Sequence, residues 1–263
     1  MNEANEYSVP PLIAAAHPAP AASQPLGENP EDRLPITNVV GAIEAILRQP
    51  RRVMYQLRQP GAGRLILLML TVALMCSLLY GLVVGTFSMG PQLWAAPVKI
   101  AGGLLLTALI CLPSLYIFTC LSGSQARLAE MSGLLAGLLM LMTILLIGFA
   151  PVAWLFSQST SSVPWMGALH LLFWLISTIF GMRLLGAGFS HSRARSRAGL
   201  NLWIMIFVLV AVQMTTALRP LVGTAETFLQ KDKQFFVSYW AKCLSLPPLG
   251  PLGASQPDTT SPQ

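Results

Sequence analysis

Apolar residues run through this chain in five long blocks: Leu65–Phe87, Ile100–Leu121, Met131–Ser157, Trp165–Phe189 and Leu202–Leu218. None shows the strict alternation of a half-buried strand, and each is apolar all the way round, as a helix dissolved in lipid would be. A helix needs roughly 20 residues to cross about 30 Å of hydrocarbon. The pattern therefore predicts an all-α, polytopic transmembrane bundle of five spans. Ahead of the first block, Val39, Val40, Ile43, Ile46 and Leu47 recur at helical spacing, with Thr37 or Asn38 placed to cap the start. Pro50 is suited to open a second short helix carrying Val53, Met54 and Leu57. Arg48, Arg51, Arg52 and Arg58 crowd the same stretch. Such a juxtamembrane amphipathic segment either lies in the headgroup layer or packs on the end of the bundle, and both readings stay open.

The rest of the chain divides around these elements. Residues 1–35 are rich in Pro and Ala, punctuated by Glu3, Glu6, Glu28, Glu31 and Asp32, and have no periodic apolar face. Their composition predicts a disordered tail. Residues 36–60 are the amphipathic helices, and 61–220 the five-helix transmembrane domain. Residues 221–263 form an aromatic-rich segment (Phe228, Phe235, Phe236, Tyr239, Trp240) that ends in a Pro-containing, disordered stretch. The aromatic segment is either a surface for a partner or a cap on the bundle.

Composition supports lipid as the solvent: 10% of residues are charged, 54% are hydrophobic, and the net charge is +6. Soluble domains carry about 25% charged residues. Of the 16 basic residues, 12 are Arg, and they cluster between the apolar blocks, which suits an anionic membrane surface and not a nucleic-acid groove. Orientation follows from where they fall. One side collects Arg48, Arg51, Arg52, Arg58, Arg64, Arg127, Arg193, Arg195 and Arg197. The other has Lys99, Arg219, Lys231, Lys233 and Lys242. The N-terminus is thus expected in the cytoplasm and the C-terminus outside. Trp94, Trp154 and Trp165 would mark the outer interface and Trp203 the inner one, with Trp174 packed mid-span.

Candidate chemistry is sparse. The spans hold no acidic residue, which argues against a proton- or cation-coupled transporter. Arg183 is the one clear charge inside a block; it either snorkels to the headgroups or, with Arg193, Arg195 and Arg197 just beyond, meets a lipid phosphate or another anion. Ser122, Ser124 and His170 are the most visible nucleophile and base candidates, but this topology puts them at opposite ends of the bundle. His17, His170 and His191 are scattered, and the cysteines form no C-x-x-C, so no metal or other cofactor is expected. Gly81-x-x-x-Gly85 and Gly133-x-x-x-Gly137 place small residues on one helical face and predict close helix packing. Pro113 and Pro151 should kink the second and third spans.

In layout, the chain resembles the Yip1 family of small multipass membrane proteins. Ile46–Arg64 (ILRQPRRVMYQLRQPGAGR) is similar to the Pro- and Arg-containing lead-in of its prokaryotic relatives. The Asp-Leu-Tyr-Gly-Pro signature of eukaryotic members is missing, so no residue role carries over. The resemblance implies a membrane-organising interaction protein without known catalysis. The resulting expectation is a non-enzymatic scaffold or accessory subunit of a bacterial inner membrane, touching anionic lipid headgroups and other membrane proteins or itself. The alternative is a transporter or permease subunit with its pathway around the kinked second and third spans.

Overall fold

The computed structural model describes residues 25–88, 92–124, 126–159, 163–190 and 198–217. Among them every regular element is helical: α1 (Val39–Arg48), α2 (Pro50–Leu57), α3 (Gly63–Ser88), α4 (Gln92–Leu121), α5 (Leu128–Ser159), α6 (Val163–Ser190) and α7 (Ala198–Ala217), preceded by one 3-10 turn at Pro30–Arg33. Four of these, α3 to α6, are long and apolar enough to cross a membrane. The apolar helix α7 is shorter, at 20 residues.

Helix α5 is the axis of the bundle. Of its most apolar stretch 72% is buried, against 33% for α3 and α6 and 28% for α4. Helices α3 and α6 flank it, α4 lies along α3, and α7 lies along α4. Short links make successive helices antiparallel, so one end of the bundle holds the starts of α3 and α5 and the finishes of α4 and α6. At that end α1 and α2 dock, and it is called the docked end below.

The start of α4 departs from the expected span. The helix begins at Gln92, so Lys99, which stands at the entrance of the second apolar block, lies seven residues inside it and is 2% exposed. Leu93, Trp94, Ala95 and Ala96, ahead of the second apolar block, are apolar themselves, which leaves the helix free to start earlier. Trp203 also departs from expectation. It is fully buried, not interfacial, and its indole N–H donates to the Cys111 carbonyl of α4 at 2.9 Å. An indole is stable inside a bundle once its N–H has such a partner. Trp94, Trp154 and Trp165 are exposed at the far end, and Trp174 is partly buried against the core.

The two short helices form as their sequence dictates. The Asn38 side chain accepts the Gly41 N–H at 2.7 Å and caps α1, while Pro50 occupies the first turn of α2, where its missing N–H costs nothing. Both pack on the bundle. Ala42, Ala45 and Ile46 of α1, and Val53, Met54 and Leu57 of α2, are buried in the main core.

Candidate functional site

Small residues on α5 create the docking site for α1 and α2. At Gly133 a Cβ would overlap the end of the Leu57 side chain, so the absent side chain is the space Leu57 fills. One turn on, a Cβ at Gly137 would touch Ile46 of α1, with Leu184 of α6 and Met69 of α3 close by. The Gly133-x-x-x-Gly137 face therefore receives Leu57 and Ile46 from helices outside the spans, together with Leu184 and Met69 from the neighbouring spans at Gly137. Gly81 does mediate helix–helix approach: a Cβ there would overlap the backbone of Pro97 in α4. Gly85 is buried on α3. Three further glycines also stand at close contacts. Gly188 and Gly181 on α6 face Leu134 and Leu138 of α5, and Gly199 of α7 faces Phe118 of α4. Their spacing of seven between 181 and 188 is a heptad signal legible in the sequence.

Helix α1 carries two apolar stripes. One, Ala42–Ala45–Ile46, faces the bundle; the other holds Val39, Val40 and Leu47, all exposed, with Val40 at 73%. Ile43, between the stripes, is half-buried. Glu44 and Arg48 occupy the remaining polar arc as an (i, i+4) ion pair at 3.5 Å. A helix with one apolar side on protein and a second left open, bounded by a charged arc, has the form of an interfacial helix pinned to a bundle.

Helix α2 is a sandwich. Val53, Met54 and Leu57 face the bundle, and Arg51, Arg52, Tyr55 and Gln56 lie on the opposite side. That polar side is covered by residues 25–36, which correct the expectation of a disordered tail reaching to residue 35. Arg52 donates to the carbonyls of Leu34 at 2.9 Å and Pro35 at 3.0 Å. Gln56 accepts the Ile36 N–H at 3.0 Å and donates to the Leu34 carbonyl. Arg51 donates to the Pro25 carbonyl at 3.1 Å and sits 3.6 Å from the Asp32 carboxylate, which also accepts the Gly27 N–H. Asp32 is 6% exposed. Gly27 has φ +87 and lies directly over the Tyr55 ring, so both backbone and space require glycine there. Composition alone missed this segment because its contacts are polar and mostly made by backbone.

The arginines grouped in sequence as lipid or anion contacts thus have separate roles. Arg51 and Arg52 hold the 25–36 segment, Arg48 pairs with Glu44, and Arg58 lies 3.9 Å from Glu130 at the start of α5. Arg58 and Glu130, with Met54 and Leu57, line a shallow cleft at the docked end. Arg183 is exposed on the outer face of α6, about 10 Å along the helix from its end at Ser190, with Ile179 and Phe180 exposed beside it. Arg193, Arg195 and Arg197, and the aromatic residues Phe228, Phe235, Phe236, Tyr239 and Trp240, lie outside the described residues.

Other candidates resolve simply. His170 pairs through Nδ1 with the Tyr80 hydroxyl at 2.8 Å, at the far end. Ser122 donates to the Phe118 carbonyl at 2.8 Å, at the docked end. The two are not brought together. Pro113 and Pro151 lie within continuous helices, on exposed faces pointing away from the bundle. Among the described residues no group of three His, Cys, Asp or Glu side chains could hold a metal ion.

This architecture is that of an integral membrane protein with several spanning helices. Comparison with protein-family models, with curated protein sequences and with solved structures finds no match.

Proposed function

We propose that the protein is a five-span membrane scaffold or accessory subunit of a bacterial inner membrane, acting through lipid and protein contacts and without catalysis of its own. Its N-terminus and docked end lie in the cytoplasm, its C-terminus outside, and α7 is the fifth span. At 20 residues α7 is about 30 Å long, the thickness of a hydrocarbon core. The excess of Arg beside the docked end and the exposed Trp94, Trp154 and Trp165 at the far end support this orientation. The Yip1-like layout supports a membrane-organising role.

The observation that carries the reading is the second apolar stripe of α1. Ile46 of that helix reaches the Gly137 position of α5, where Met69 and Leu184, about two turns inside α3 and α6, also converge, which supports a place for α1 at the boundary between headgroups and acyl chains. Val39, Val40 and Leu47 then face lipid or a lipid-embedded partner, while Arg48 stays near phosphates.

The test is purification of the full chain through an N-terminal tag in mild detergent, with mass spectrometry of the proteins and lipids retained. A stoichiometric membrane-protein partner, or enriched anionic lipid, lost in the V40S/L47S double variant while the bundle stays folded, is the expected result. Substrate turnover or ion conduction by the purified protein alone would overturn it.

A further inference from the structure

We propose that the polar face of α2, centred on Arg51 and Arg52, is a phosphate-binding surface that residues 25–36 occupy as an internal competitor, so that anionic phosphate and this segment exclude one another. The inference rests on the reading of the docked end as facing anionic headgroups, and adds to it a specific site and its control.

The chemistry of the contacts points this way. Everything the segment presents to the two guanidinium groups is an acceptor oxygen: the Asp32 carboxylate and the carbonyls of Pro25, Leu34 and Pro35. A phosphate group offers the same acceptors with more charge, and guanidinium–phosphate pairs are shorter and about twice as strong as neutral hydrogen bonds. Arg51 Nε stands 3.6 Å from Asp32 Oδ2, beyond hydrogen-bond distance. Apolar anchoring is confined to the two ends of the segment, where Leu26 and Ile36 are partly buried against the core, while Leu34 is half exposed and Glu28, Pro30 and Glu31 between them are exposed. Polar contacts at a surface contribute little each, so the docked and released forms lie close in free energy. The seat is nevertheless specific, because Gly27 must adopt a left-handed conformation over Tyr55. A specific but weakly held acidic segment over paired arginines is how an internal competitor is built.

The experiment uses the full chain in nanodiscs and follows hydrogen exchange at the Gly27 and Ile36 amides, which donate to Asp32 and Gln56. Three conditions are compared: phosphatidylcholine alone, an equal mixture with phosphatidylglycerol, and phosphatidylcholine with inorganic phosphate. Exchange about tenfold faster with phosphatidylglycerol alone assigns the site to a lipid headgroup, and the same acceleration with inorganic phosphate assigns it to a free phosphate. Identical exchange in all three overturns the proposal. Gly27→Val opens the segment without changing charge and should raise phosphatidylglycerol retention by native mass spectrometry at least about threefold, as removal of a competitor does. Protection of α5 amides confirms that the variant is folded. If wild-type protein retains phosphatidylglycerol over phosphatidylcholine but Gly27→Val retains no more, the competition is refuted while the lipid-binding reading stands. If neither retains it and exchange is unchanged, both fall.

Discussion

The two ends of the bundle close by different means. At the far end, spanning helices meet one another directly. Gly81 lets α3 lie against the Pro97 backbone, Phe149 stacks on Phe173, and Tyr80 bonds His170. At the docked end, the equivalent space on α5 is left open by Gly133 and Gly137 and filled by Leu57 and Ile46, from helices that do not span. Spanning helices approach closely at the docked end too, Gly188 against Leu134 and Gly199 against Phe118, but only that end adds a clamp of helices that do not span. In lipid, where burial of apolar surface gives no driving force between helices, close packing and polar links hold spans together. A clamp placed at the water boundary regains the hydrophobic effect.

The sharpest way to break this contrast is to fill the two kinds of glycine space. At Gly81 an added Cβ meets backbone atoms of Pro97, which cannot yield without moving the helix. Gly81→Ala is expected to cost more than about 3 kcal/mol, the upper end of overpacking, measured by denaturant unfolding in detergent micelles. At Gly133 the obstacle is the end of a flexible Leu57 side chain, and replacing glycine by alanine inside a helix returns up to about 1 kcal/mol. Gly133→Ala is therefore expected to cost about 1 kcal/mol or less. Equal losses at the two sites would show that both ends are built alike.

A second variant isolates the clamp. Leu57→Ala empties the space over Gly133 and should destabilise by about 2–4 kcal/mol, as large-to-small core changes do. The loss should be local. Hydrogen exchange should accelerate in α1, α2 and the first turns of α5, while amides around Tyr80 and His170 keep their protection. Uniform acceleration through the bundle would mean that the clamp is part of a single cooperative core.

How much of this was legible in the sequence follows the same division. Long apolar runs marked α3 to α6 because lipid leaves a signal in every residue of a span. Asn38 and Pro50 marked the starts of α1 and α2 because capping is a local effect. The partner of each glycine was not legible. Gly133-x-x-x-Gly137 reads the same whether a spanning helix or the tip of Leu57 fills it, and the difference lies in tertiary packing. Trp203 read as interfacial from its place near a block end, while its burial depends on the Cys111 carbonyl, 92 residues away in sequence. Segment 25–36 was hidden for a further reason: backbone carbonyls from Pro25, Leu34 and Pro35 are invisible to composition.

A further small effect tests the polar link at the far end. Tyr80 and His170 belong to α3 and α6, the two helices that flank α5, so their bond ties together helices on either side of the axis. Ala150 and Ala153 of α5 are buried in the same cluster as Tyr80. Tyr80→Phe keeps the ring and its edge-on contact with the imidazole while removing the hydroxyl. Hydrogen bonds between spanning helices contribute about 0.6 kcal/mol on average and up to about 1.7. Tyr80→Phe should therefore cost about 1 kcal/mol, clearly less than Gly81→Ala. In a double-mutant cycle with His170→Phe the two losses should be non-additive by a similar amount. Additive losses would mean that the bond contributes nothing beyond packing, leaving the Gly81–Pro97 approach and the stacked Phe149 and Phe173 rings to hold the far end.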